Sequence, residues 1–540
     1  MHLEPQLLAF VAGVLCHVGW FMRGEHHMRG TTYIQIHTIA FAVLAALQYR
    51  LGTSLEEALK HTFLYDSIFL AGLYASVFVY RAFLNPLNVF PGPWVARISS
   101  FYMPLRIRKM RMFKTLHELH EEYGYFVRMG TEELSITHPK AVQQIFGAES
   151  VCQKGPWYDL TRPQDSVLLR RTFTGHAELR SVWSQAFSTK AVRGYETRMH
   201  PYRSKLMAEL DAHAGQPVNI NNWLGLYSWD VLSDLSFGHP FGMLDTKEHH
   251  WAMNVLDKGM GLIGVHLPMW FFHIMAALPG GNKDMKYMLK YCGEEMHRRW
   301  NLKVCAHSLL LAIHVVSHKL KQTEPNVPDV LSALFAPYRR KERVFNDAAV
   351  NLLAGESHLL INAGSDTTRI SMSAIFCTLA QKPELAQRLR QALEPYVPKA
   401  HDEILMDDEI KNIDLLNGVV LEALRMYPPS PSHPTRVVPP ADGNIFPRPN
   451  EFIPERWYSQ PELVKDKNAT APFSLGPMNC VGKQLAMVNI RVTVARIVMH
   501  YNLSFAPSRT DPATAFEEGL YEHFSMQAGP LSLCLEKRNK

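Results

Sequence analysis

Seven cysteines stand in this chain, at positions 16, 152, 292, 305, 377, 480 and 534, and one of them has neighbours suited to metal chemistry. Cys480 lies in Pro472-Phe473-Ser474-Leu475-Gly476-Pro477-Met478-Asn479-Cys480-Val481-Gly482. A glycine on either side allows a tight loop that approaches a flat ligand closely and leaves amides free to face the sulfur. A helical stretch, Gln484 to His500, follows, so a thiolate here sits near a helix N-terminus, where negative charge is favoured. Deprotonation, amide hydrogen bonds and exclusion of water are what a thiolate ligand of haem iron requires. Taken alone, a buried free cysteine is the plainer reading.

Other residues carry chemistry by their spacing. In Ala363-Gly364-Ser365-Asp366-Thr367-Thr368 an acid adjoins alcohols inside a long helical pattern. Taken alone, an acid and alcohols at mid-helix could be no more than a solvated face. Glu422 and Arg425 share one helix face, where a surface ion pair is the plain reading. His176 and Arg180 stand one turn apart and could grip an anionic group. His358 and Asn362, shortly before Gly364, could face a pocket or serve only helix packing.

Those groups need a scaffold. The chain has 540 residues, 47% hydrophobic and 20% charged, with 34 prolines and 31 glycines. At about 150 residues per domain this allows three or four domains, or one large one. The composition excludes disorder, collagen and a disulfide-dense module. A net charge of +6 is too dilute to argue for nucleic acid. An odd cysteine count without CxxC spacing suits a reduced compartment. Helical periodicity dominates beyond residue 94, with strand-like patches at Tyr125–Met129 and Glu133–Thr137. The expected body is one domain over 95–540, mainly α with small β-sheets (α+β).

Residues 1–84 read as a membrane anchor with up to three spans, about 6–22, 31–49 and 63–80, against a need for roughly 20 apolar residues each. A cleaved signal peptide plus core helices is the alternative, but no basic segment precedes the first run. Arg97, Arg106, Arg108, Lys109, Arg111 and Lys114 follow the third run and favour the cytosolic side, whereas the Arg50–Asp66 connection suits the lumen. Three prolines between Asn85 and Trp94 predict a stiff hinge over 85–94.

The Cys480 loop resembles the haem-binding signature of cytochrome P-450 enzymes, Phe-x-x-Gly-x-Arg-x-Cys-x-Gly. Phe473, Gly476, Cys480 and Gly482 match, while Met478 occupies the arginine position that in the family contacts a haem propionate. Glu422-Ala423-Leu424-Arg425 resembles the Glu-x-x-Arg motif and Pro454-Glu455-Arg456-Trp457 the later Pro-Glu-Arg-Trp; the resemblance implies a buried charge cluster of Glu422, Arg425 and Arg456. Ala363–Thr368 resembles the oxygen-activation motif; the resemblance implies that Gly364 opens a groove for dioxygen and that Asp366 and Thr367 are the proton-delivering pair. His176 and Arg180 stand where the family often has Trp-x-x-x-Arg, and Arg436 matches another propionate contact; these three would compensate for Met478. The resemblance covers Asn85 to Lys540. Lys154-Gly155-Pro156-Trp157-Tyr158, Trp229–Gly238 and the Arg23–Met28 run are similar to segments of fungal members, among them a group with tryprostatin hydroxylases.

Two places break the pattern. Only seventeen residues separate Arg436 from Pro454, where the family places a hairpin, a strand and a short helix. Conversely, Val304–Gln322 has no family counterpart. Either the coding sequence retains one intron and lacks one exon stretch, or both are natural loop variation.

The resemblance implies an endoplasmic-reticulum-anchored monooxygenase with haem b ligated by Cys480 and its catalytic domain in the cytosol. Electrons would come from NADPH through NADPH–cytochrome P-450 reductase, since no flavin or nicotinamide fingerprint stands out here, and Lys483 and Arg491 could help dock that donor. One oxygen atom would enter an apolar C–H bond of a secondary-metabolite intermediate. Trp157–Tyr158, His358–Asn362 and Ser430–His433 would select this apolar substrate. The rivals are a rearranging or dehydrating haem-thiolate enzyme, and an inactive haem binder or scaffold.

Overall fold

The computed structural model describes residues 4–107, 109–281, 283–308, 329–397, 403–431, 446–466, 471–507, 511–523 and 525–538. At their centre runs a helix of 35 residues, Asp347–Gln381, roughly 50 Å long at 1.5 Å per residue. Asn346 Oδ1 opens it by accepting the Ala349 amide at 3.0 Å, and Pro383 forbids its continuation. Its second half is buried almost all round, enclosed by the Ile220–Phe237 and Lys483–His500 helices. Trp229, Leu232, Phe376, Val492 and Val494 belong to this one large apolar core.

Among the described residues, three small antiparallel sheets lie around the helices. β1 (Phe126–Arg128) pairs with β2 (Leu134–Ile136), where the sequence predicts two strand-like patches. β3 (Pro217–Asn219) and β4 (Tyr501–Phe505) flank β7 (Ser532–Lys537), and β5 (Tyr521–Glu522) pairs with β6 (Met526–Gln527). A mainly helical body with small sheets is therefore what forms.

The amino-terminal segment folds as α1 (Pro5–Cys16, continued to Phe21), α2 (Gly30–Arg50) and α3 (Leu55–Val79). Two helices, His27–Arg50 and Leu55–Val89, are long and apolar enough to cross a membrane, and Pro5–Phe21 is a shorter apolar helix. Leu15, Ile39, Phe63 and Phe83 point outward from them. Leu55–Asp66 is helix rather than connection, because Ser54 and Glu57 form a reciprocal capping box that starts α3 well before its apolar run. α1 lies against α3 at backbone distance: a Cβ on Gly13 would lie 2.1 Å from the Phe69 carbonyl oxygen, and one on Gly72 2.2 Å from that of Phe10. Small residues permit this close approach of the two backbones. His17 Nδ1 and Ser76 Oγ, 2.8 Å apart, join the same two helices.

Between this segment and the body, the Asn85 side chain accepts the Leu87 amide at 2.8 Å and caps a short turn, Pro86–Val89. The Lys283–Ser308 helix runs into the start of the unmatched Val304–Gln322 segment. The rest of that segment, Arg436, His433 and the shortened stretch at 440–445 lie outside the described residues.

Candidate active site

A cavity of about 1210 Å³ lies between the central helix and the Cys480 loop. Single drug-sized ligands occupy pockets of about 300–1,000 Å³, so this one has room for a flat cofactor and a second molecule. Leu359, Leu360, Ala363, Val231 and Met426 make much of its wall apolar.

The Cys480 loop is shaped by its backbone. The Cys480 amide donates to the Phe473 carbonyl at 2.8 Å, closing the turn. Gly476 has φ +65°, and a Cβ there would lie 2.1 Å from the Phe146 carbonyl oxygen. Gly476→Ala is therefore expected to displace the loop and lower haem retention in the purified protein severalfold; unchanged haem content would contradict this account of the turn. Gly482 is different: its φ is −79°, and an added Cβ would meet nothing closer than the Cys480 sulfur at 3.9 Å. Of the two flanking glycines, Gly476 shapes the turn through its missing Cβ, while Gly482 contributes an amide that faces the sulfur.

Cys480 is exposed by surface area, but the space it faces is the cavity. Surrounding protein pushes its thiol up; hydrogen bonds from the Gly482 and Lys483 amides and the charges of Arg180 and Lys483 oppose that shift. The helix beginning at Lys483 supplies those amides. Arg180 donates both to the Asn479 carbonyl and to its side-chain oxygen, so its guanidinium lies on the thiolate loop itself. His176, one turn earlier, is buried and held neutral: desolvation, then the charges of Lys154 and Arg180, push it down to about 4. It can offer an N–H but no charge to an anion. Lys154 also lines the cavity, with its Nζ 2.6 Å from the Leu168 carbonyl. The quoted Lys-Gly-Pro-Trp-Tyr segment contained this cation, but sequence reasoning gave it no role.

The residues present fit a haem. One thiol with converging amides faces a cavity large enough for the ring, and Arg180, His176 and Lys154 supply donors on its wall. Met478 lines the same cavity and adds no charge.

The acid–alcohol pair is split. Thr367 lines the cavity, its hydroxyl donating to the Ala363 carbonyl at 2.6 Å. Asp366 does not: it is buried behind the helix, 3.1 Å from Arg369 Nη2 and accepting from Gln527 Nε2 at 3.0 Å. Successive helix residues point about 100° apart, so adjacent side chains cannot share one face. Gly364 lines the cavity beside Thr367, and on its Cβ side Leu232 Cδ1 lies 2.7 Å from where a Cβ would stand. His358 and Asn362 do not line the cavity, whereas Leu359, Leu360 and Ala363 do. Burial pushes His358 down to about 4, and the Asn362 amide reaches Met260 Sδ at 3.8 Å. Tyr158 and Ser430 line the cavity, and Trp157 packs on the core.

Below the cavity, the charge cluster forms as the motifs imply. Glu422 accepts Arg425 Nε and Nη2 at 3.0 and 2.9 Å, Arg456 Nε at 3.0 Å, the Ile453 amide at 3.0 Å and the Trp457 indole at 2.9 Å. All three charged side chains are buried. Arg491, expected as a docking charge, is instead paired with Asp407 at 2.6 Å.

A family model described as "Cytochrome P450" matches residues 91–442 and 440–535. The two stretches meet where the sequence lacks the wording of a hairpin. Similar curated proteins include a cytochrome P450 monooxygenase, notG', of Aspergillus versicolor, 35% identical over 98% of each chain. The tryprostatin B 6-hydroxylase of Aspergillus fumigatus is 35% identical over 98% of this chain and 96% of its own. A solved cytochrome P450DA haem domain superposes with a TM-score of 0.64 at 15% identity, covering 83% of this chain and 98% of that one, a likeness of fold. Family and fold together imply haem with a cysteine thiolate as axial ligand. The chain belongs to the cytochrome P450 family and is a monooxygenase.

Proposed function

We propose that this protein inserts one atom of dioxygen into an apolar C–H bond of a fungal secondary-metabolite intermediate, the other atom leaving as water with two electrons and two protons consumed. The observation that carries the reading is Cys480, whose sulfur faces a large, mostly apolar cavity walled opposite by Thr367. Haem bound there would be held through the Cys480 sulfur and would supply the oxygen-activating chemistry. The Gly482 and Lys483 amides and Arg180 stabilise negative charge on the sulfur. Arg180 and Lys154 would bind anionic groups of the cofactor, and His176 would donate an N–H to them. Arg436 belongs to the same proposal on its motif alone. Leu359, Leu360 and Ala363 hold an apolar substrate and exclude water. Thr367 holds a proton at Oγ1 beside the reacting molecule, while Asp366, paired with Arg369 and Gln527 behind the helix, would join proton delivery only by turning from those partners.

The amino-terminal helices support anchoring in the endoplasmic reticulum membrane, with the body in the cytosol beside the basic residues that follow α3. Electrons come from NADPH through NADPH–cytochrome P-450 reductase. Relatives named as tryprostatin B hydroxylases favour hydroxylation over rearrangement. The direct test takes the metabolite that accumulates when the gene is deleted and supplies it, with reductase and isotopically labelled dioxygen, to microsomes bearing the full chain. One labelled oxygen in the product is expected; an unlabelled isomer or dehydrated product would favour the rearranging rival. With Thr367→Ala, product per NADPH should fall on the order of 10²-fold while NADPH oxidation continues. Unchanged coupling would remove Thr367 from proton delivery.

A further inference from the structure

The connection between the first two anchor helices reaches the cavity wall. Glu25 lies in the Arg23–Arg29 connection and accepts both guanidinium nitrogens of Arg171, each at 2.6 Å. Arg171 Nη1 also donates to Asp159 Oδ2 at 2.8 Å, and its Nε to the Lys154 carbonyl at 2.9 Å. His27 Nε2 is 3.0 Å from the same Asp159 oxygen, and Arg162 Nε 2.7 Å from the other. Asp159 is only 4% exposed. Burial raises its carboxyl, but hydrogen bonds from Arg162, His27 and Arg171 together hold it below the ordinary range. The Arg171 hydrogen bond holds Glu25 down in the same direction.

Glu25, His27 and Asp159 also bring ligand atoms within 4.8 Å of one another. Two arginines already supply the positive charge there, so the arrangement is an ionic clasp. What it clasps matters: Lys154, Tyr158, Val167 and Leu168, all within the clasped segment, line the cavity. From inside, the Val167 amide donates to Glu356 of the central helix at 3.0 and 3.1 Å, and burial pushes that carboxyl up to about 8. The wall segment is thus held by the central helix on one side and by the anchor on the other. The anchor also meets a second apolar element, Met269–Ala277, where the His27 and His273 rings lie 6.3 Å apart.

We propose that Glu25 and His27 are positioning residues for the substrate cavity: through Asp159 and Arg171, the membrane segment sets the placement of the 154–171 wall. This rests on the monooxygenase reading of the cavity. The membrane anchor then does more than tether, since any tilt of α1 and α2 is transmitted to Tyr158 and Leu168.

The test uses the full-length holoenzyme in lipid nanodiscs, comparing Glu25→Gln, His27→Gln and the double variant with Asp245→Asn, which breaks an exposed pair with Lys205 elsewhere. Two readouts serve: amide exchange by mass spectrometry, and affinity for phenylimidazole from the haem spectrum. Exchange within 154–171 should rise about fivefold in the double variant, the scale of one surface-to-half-buried ion pair. Phenylimidazole should bind about threefold more weakly, with the thiolate-type carbon monoxide spectrum kept and Asp245→Asn unchanged. Unaltered exchange at 154–171 in the double variant would overturn the proposal, as would a rise spread evenly over the whole body. Exchange is read from the polypeptide, so it decides the clasp even if the unsubstituted protein lacks a thiolate spectrum, a result that would instead defeat the monooxygenase reading.

Discussion

Glu422→Gln is expected to destabilise the folded protein by about 3–5 kcal/mol, the usual cost of removing one member of a buried ion cluster. One carboxylate here faces two guanidiniums, a backbone amide and an indole N–H. An amide of the same shape removes the negative charge and turns an NH₂ group toward a cation. Arg425 and Arg456 then stay buried without that carboxylate, beside carbonyls such as those of Glu451, Pro447 and Leu463. Domain stabilities are about 5–15 kcal/mol, so a large share of the total disappears and most of the expressed chain should fail to retain haem. Glu455→Gln is the matched comparison. Its Arg388 partner is half exposed, and such pairs contribute about 0–1 kcal/mol. Unfolding followed by haem absorbance should separate the two variants by more than 2 kcal/mol, a roughly estimated margin from those ranges. Equal midpoints would show that the cluster is dispensable.

The cluster was legible only through the family resemblance: spacing puts Glu422 and Arg425 on one helix face, where a surface pair is the plain reading, and Arg456, 34 positions from Glu422, joins them through the motif it matches. The Cys480 loop was legible more locally, since a glycine at positive φ and a following helix are properties of adjacent residues.

Rotation about a helix axis was not legible. The Asp366–Thr367 pair reads as one functional unit in sequence, yet the structure gives Thr367 to the cavity and Asp366 to Arg369 and Gln527. The same rotation exchanges His358 and Asn362 for Leu359, Leu360 and Ala363 as wall residues. An apolar helix buried nearly all round carries no periodic signal to mark which face meets a cavity. Contacts between distant segments were also hidden: nothing in the Arg23–Met28 run shows that Glu25 meets Arg171. In α3, apolar composition located the membrane-length segment, but the helix start was set by the polar Ser54–Glu57 cap.

The central claim is that Cys480 is the sulfur on the haem iron. In the protein without metal, burial disfavours its thiolate despite the surrounding amides and cations, whereas coordination removes the proton outright. The decisive measurement is the reduced carbon monoxide difference spectrum of the full-length protein beside that of Cys480→Ala, with haem content determined in both. The unsubstituted protein should show the red-shifted Soret band of a thiolate-ligated haem, and Cys480→Ala should lose it entirely, whatever haem it retains. A thiolate-type band that persists in Cys480→Ala, or its absence from haem-loaded unsubstituted protein, would contradict the assignment.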